Sequence, residues 1–164
     1  MQTKKNIRDF LPLIIIFSCI FLYTIIRLIQ HGAWDTLFVM RNFEGAFFII
    51  FGAFKLLNWR GFVSAYQLYD IIARRSKPYA YAYPIIELAL GIAYLAAYQL
   101  LLTSIITFLI MVVSTIGVAQ ALSKKQAISC ACLGTVFKLP MTQVTLVEDL
   151  LMGVMALVMI FLAV

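Results

Sequence analysis

Two features of the chain can do chemistry. The first is Cys130-Ala131-Cys132-Leu133-Gly134, which places two of the three cysteines two residues apart. In an extended segment residues i and i+2 point the same way, so both sulfurs can reach one partner atom or each other. A disulfide between them closes a small, strained ring, and strain raises the reduction potential, which suits exchange better than structural stapling. Lys124, Lys125 and Lys138 nearby favour the thiolate, the form that attacks disulfides and binds metal. The same pair suits a soft metal such as Cu(I), Zn(II) or Hg(II), with a further ligand from a partner or from Met141. Cysteines that merely pack are the bland alternative.

The second feature is a charge of each sign inside apolar runs. Lys55 lies about one turn before the end of one run and Glu87 about one turn after the start of the next, so both sit at similar depth beneath one face. A lone charge in a bilayer costs roughly 2.5 to 3.5 kcal/mol even on lenient insertion scales, so pairing is the cheapest resolution. The pair serves as a structural bridge or as the polar floor of a site that orients substrate or handles protons. Asn58, Glu148 and Asp149 fall near the same end; the two acids are auxiliary candidates, or helix N-terminal charges set against the macrodipole.

The elements that position these residues follow from composition. The 164 residues are 64% hydrophobic and 12% charged, with a mean hydropathy of +1.01. Soluble domains run at about 45 to 50% apolar and about 25% charged, so the chain is neither a cytosolic globule nor disordered; it is an all-α membrane protein. Its net charge of +6 belongs in membrane-flanking loops and not on a nucleic-acid-binding face. Five stretches reach span length: Leu11 to Ile29, Phe43 to Trp59, Pro84 to Leu102, Ser104 to Leu122 and Val144 to Leu162. The first is too long for a signal-peptide core and lacks a cleavage pattern, so it is read as retained.

Residues 61–77 carry Phe62, Tyr66, Tyr69 and Ile72 at helical spacing opposite Ser64, Gln67, Asp70, Arg74 and Arg75. That predicts a helix lying in the interface, or one packed on the bundle. Tyr79, Tyr81 and Tyr83 form an aromatic belt before the third span. Residues 123–143 form the cysteine loop. Cys19 is read as a packing residue, and Met152, Met155 and Met159 as adaptable core in preference to a thioether ladder. His31 is the only histidine, which disfavours a haem bundle or a histidine-rich metal site. Five unequal segments offer no transporter-type repeat.

Charge sorts the loops. With the N-terminus inside, Lys4, Lys5, Arg8, Arg60, Arg74, Arg75, Lys77, Lys124, Lys125 and Lys138 share one side, against Arg27 and Arg41 on the other. Short-loop Lys/Arg bias therefore puts the N-terminus and the cysteine loop in the cytoplasm.

From Arg41 to about Leu162 the chain resembles the MauE/DoxX-like redox-associated membrane proteins. The resemblance rests on Phe47 to Gly52 with Lys55, Gly61-Phe62 with Tyr69, Glu87 with Gly91, the Cys130 to Gly134 motif, and Thr145 to Leu150. It implies a four-helix transmembrane bundle over 41–164, here preceded by an extra N-terminal basic segment and helix in 1–40, giving five spans. It also implies a multi-pass protein of the bacterial inner membrane with thiol chemistry. For the family, that means processing, transport or maturation of the disulfide-rich light subunit of methylamine dehydrogenase. The motif departs mildly, reading Cys-Ala-Cys-Leu-Gly for Cys-Gly-Cys-Phe-Gly. The extra helix matters more, because a cytoplasmic loop sits in a reducing compartment and disfavours direct oxidation of exported proteins.

Three functions follow. The leading one is a thiol-disulfide relay in which Cys130 and Cys132 exchange with a thioredoxin-like partner above Lys55 and Glu87. It requires no cofactor, and as an enzyme the protein is at most a membrane thiol-disulfide oxidoreductase. The second is soft-metal binding or transport of Cu(I) or Hg(II) by the same cysteines, with a metal-chaperone partner. The third is a noncatalytic assembly subunit.

Overall fold

A computed structural model with side chains describes residues 11–124 and 143–163. Its elements are all helical: α1 Leu11–His31, α2 Thr36–Leu57, α3 Trp59–Tyr66, α4 Lys77–Leu95, α5 Leu100–Ser123 and α6 Gln143–Ala163. Lipid offers backbone groups no partners, so spanning segments must satisfy their own hydrogen bonds as helices. The hydroxyls follow suit: Ser18 donates to the Ile14 carbonyl and Thr24 to that of Ile20.

By length and apolarity four helices can cross a membrane, namely α1, α2, α5 and Leu146–Ala163 of α6. α4 is not among them, because its tyrosines, its prolines, Lys77 and Glu87 dilute its apolar content. It nevertheless runs antiparallel along α2, so that Gly45 meets Gly91 and Leu95, Gly52 meets Pro84 and Leu88, and Trp59 donates to the Tyr81 carbonyl. α4 therefore traverses the same depth as α2. Of the five expected spans, four are thus long and apolar enough to cross, and the third, which falls on α4, is not, although α4 runs alongside α2.

Several boundaries differ from the sequence reading. α2 begins at Thr36, with Asp35 capping it by accepting from Leu37 N and Phe38 N at 2.9 and 3.3 Å, so the span starts well before Phe43. α4 begins at Lys77, capped by Ser76 with Pro78 in its first turn, so Tyr79, Tyr81 and Tyr83 lie within the helix and not ahead of it. Tyr83 is buried while Tyr81 is exposed. The predicted helix over 61–77 shrinks to α3 followed by turns, and it packs on the bundle instead of lying on the surface, with Phe62, Tyr66 and Tyr69 buried. Asp70 is also buried and ends the helical run locally: its Oδ1 accepts from Ile72 N and Ala73 N at 2.9 and 2.7 Å.

Two antiparallel pairs, α2 with α4 and α5 with α6, make up the body, and α1 packs along α2. Phe17 of α1 meets Phe43, Phe47 and Phe51 there. Glycine permits the α2/α4 approach: a Cβ on Gly91 would stand 2.7 Å from Ile49 Cγ1 and 3.0 Å from both the Gly45 carbonyl and Ile49 N. The alanine stripe does not share this role, since Ala89 and Ala97 are exposed. α4 and α5 join through residues 96–99, where Ala97 and Gln99 are left-handed at φ 53° and 40°. Met152 and Met159 are buried core, as their spacing suggests, whereas Cys19, expected to pack, is exposed on α1.

Candidate functional site

The antiparallel pairing brings one end of α2, α4, α5 and α6 together. Lys55 comes from the last turn of α2, Glu87 from mid-α4, Ser114 from α5, and Glu148 and Asp149 from the second turn of α6. Around them stand Tyr66 and Tyr69 from the α3 segment and Tyr83 from α4, lining one cavity of about 30 Å³. That volume holds one or two water molecules.

Lys55 Nζ donates to Glu87 Oε1, with side chains 8% and 3% exposed. The ammonium also lies over the rings of Tyr83 and Phe62, 5.0 and 5.6 Å from their centroids. Aromatic faces supply negative charge density where water cannot, so the cation is held from two directions. α3 is therefore part of the site: Phe62 roofs the ion pair and stacks on Tyr66 and Tyr83. The Tyr69–Asp70 backbone rests on Gly117 of α5, where a Cβ would come within 2.9 Å of the Tyr69 carbonyl. Burial, with Tyr83 and Asp70 adding to it, holds the Tyr66 phenol well above its ordinary range, so it stays a neutral hydroxyl.

Across the cavity, Ser114 Oγ donates to Asp149 Oδ2 at 2.8 Å, tying α5 to α6. Glu148, adjacent in sequence, is buried and lines the same cavity. Neither acid lies in the first turn of α6, so their role is not to meet the macrodipole. Glu87, Glu148 and Asp149 thus face one cavity with one ammonium. One ammonium offsets one of these acids, so a further positive charge or proton at the cavity would be favoured there.

The structure brings Lys55, Glu87, Glu148 and Asp149 together; Asn58 instead caps α3, accepting from Gly61 N at 3.3 Å. Cys130, Cys132 and Met141 lie outside the described residues, as does most of 123–143. Its flanks, Lys124 and Gln143, belong to the same end of the α5/α6 pair as Ser114 and Asp149. Among the described residues no three His, Cys, Asp or Glu side chains gather as a metal site. The tyrosine set and Ser114 join the site only in the structure; Ser114 gives no signal among other hydroxyls, but Tyr66 and Tyr69 share a helical face with Phe62.

The family described as methylamine utilisation protein MauE matches residues 34–162, from just before α2 to near the end of α6, leaving α1 outside. No curated protein and no solved structure matches the chain.

Proposed function

The chain belongs to the MauE family, and from that premise we propose that it is a membrane thiol-disulfide relay or maturation factor acting through Cys130 and Cys132. The observation that carries this reading is the buried Lys55–Glu87 pair, set among acids and tyrosines at the end of the bundle where the cysteine loop is anchored. Charged groups at bilayer depth are costly and mark function, and a polar floor beneath a dithiol gives its protons somewhere to go.

In the relay, a thiolate of a thioredoxin-like partner attacks one sulfur of the Cys130–Cys132 disulfide and forms a mixed disulfide. The partner's second thiolate then releases the chain's two thiols. Two electrons pass to Cys130 and Cys132 with two protons, and the partner leaves oxidised. A disulfide of a second protein on the same side of the membrane re-oxidises the pair and is itself reduced to two thiols, which returns the relay to its starting state. The described basic residues Arg60, Arg74, Arg75, Lys77 and Lys124 lie at the loop-bearing end, against Arg27 and Arg41 at the other, which supports a cytoplasmic loop.

Redox titration of the purified protein, read by thiol labelling, is expected to show a reversible two-electron transition at Cys130 and Cys132. Stoichiometric Cu(I) uptake against a competitor would overturn the relay in favour of soft-metal handling. Unchanged cellular function in both C130S and C132S would leave a noncatalytic assembly subunit.

A further inference from the structure

α2 buries a second acid that the Lys55 site does not use. Glu44 is 0% exposed, and no charged group bonds to its carboxyl; the side chain that reaches it is a neutral phenol. Its polar surroundings are uncharged. The Tyr94 phenol of α4 is its neighbour and donates to Ser104 Oγ of α5 at 3.4 Å. Thr107, one turn further along α5, is buried with its hydroxyl beside Tyr94.

The basic groups nearby point elsewhere. Arg41 donates to the Tyr94 and Leu95 carbonyls at 3.3 and 3.2 Å, capping α4. On α1, Tyr23 donates to Asn42 and Arg27 to Gln30. α5 carries no titratable side chain, and those of α6, Glu148 and Asp149, line the Lys55 cavity. A carboxylate here would be an isolated anion at membrane depth, the arrangement proteins avoid unless a proton or cation is bound.

We propose that Glu44 is a proton-binding site of the bundle, separate from the Lys55–Glu87 site and loaded from the opposite end. Eleven residues of α2 put Glu44 about 16 Å from Lys55 along the helix axis. Between them lies an apolar layer of Phe47, Phe48, Phe51, Met111 and Met152, all buried, which offers a proton no hydrogen-bonded path. On the side of the 96–99 turn stand hydroxyl groups instead: Tyr94 donates to Ser104 Oγ at 3.4 Å, and Thr103, next in sequence to Ser104, donates to the Tyr98 carbonyl at 3.0 Å. A proton reaches Glu44 from that end.

The test uses the full chain in lipid nanodiscs. Infrared spectroscopy at neutral pH is expected to show a protonated-carboxyl C=O stretch that shifts in D2O, disappears in E44Q and does not change when choline chloride is exchanged for sodium chloride. E44Q is also expected to melt with the wild type, since glutamine replaces an uncharged acid, whereas E87Q melts earlier because Lys55 loses its counter-charge. Absence of an E44Q-sensitive band would overturn the proposal by showing an ionised, partnered carboxylate. Loss of the band in sodium would overturn it by showing a cation site. Should E44Q fail to fold, carbodiimide modification of wild-type Glu44, mapped by mass spectrometry, decides the matter. The reagent adds to protonated acids, so modification upholds the site and its absence overturns it.

Discussion

Ser114 bonds to Asp149 across α5 and α6 at the depth where Lys55 bonds to Glu87 across α2 and α4. Each antiparallel pair is thus fastened by a polar contact at this depth, and the two contacts face each other over one small cavity. Each fastening can be cut separately.

Removing one partner of the ion pair strands the other without water. K55M and E87Q should each destabilise the protein by about 3 to 5 kcal/mol. The double variant K55M/E87L should recover most of that loss, because no charge remains to be solvated. Melting in a mild detergent checks this, and strict additivity of the two single losses would show that the residues do not interact.

The glycine contact sets the register that aligns Lys55 with Glu87. A Cβ at Gly91 meets backbone atoms at 3.0 Å, one at Gly45 meets chiefly the flexible Leu95 side chain, and one at Gly153 meets Met111 Cβ at 3.4 Å. G91A should therefore cost about 1 to 3 kcal/mol, G45A less and G153A almost nothing. Thermal melts of the three variants test the order, and equal losses would contradict it.

S114A removes the hydrogen bond to Asp149 and should cost about 1 to 3 kcal/mol. D149N keeps an acceptor oxygen for the Ser114 hydroxyl and should cost less. A larger loss in D149N would mean that the charge of Asp149, and not its hydrogen bond, holds α6.

A membrane-impermeant maleimide should leave Cys130 and Cys132 unlabelled in intact cells and label both once the membrane is opened. Labelling from outside would reverse the assigned orientation and move the thiol chemistry to the other compartment.

Much of this was legible in the chain because lipid simplifies the pattern. A lysine or glutamate in an apolar run stands out, which is how Lys55 and Glu87 could be paired from depth alone. Glu44 gives no such signal, because hydropathy opens the span at Phe43 and sets Glu44 at the water boundary; α2 in fact starts a full two turns earlier, at Thr36. The cap that would have revealed this is Asp35, two residues after the end of a glycine-alanine pair and easily read as loop. The α3 segment failed differently. Its apolar spacing continues past Tyr66, but Asp70 takes two backbone N–H groups for itself, a local competition that periodicity does not register. The tyrosines of α4 were read as an interfacial belt because amphipathic rings favour both settings; only the Ser76 cap and Pro78 distinguish a helix start from a headgroup anchor.

The phenylalanine and methionine layer between Glu44 and Lys55 has an electrical consequence. A transmembrane voltage drops where mobile charge and water are missing, so this stratum takes a disproportionate share of the field. Carrying an elementary charge through the full potential involves about 2.3 kcal/mol per 100 mV. The proton loading proposed for Glu44 is accordingly expected to depend on the membrane potential, and to differ between vesicles with and without an imposed voltage.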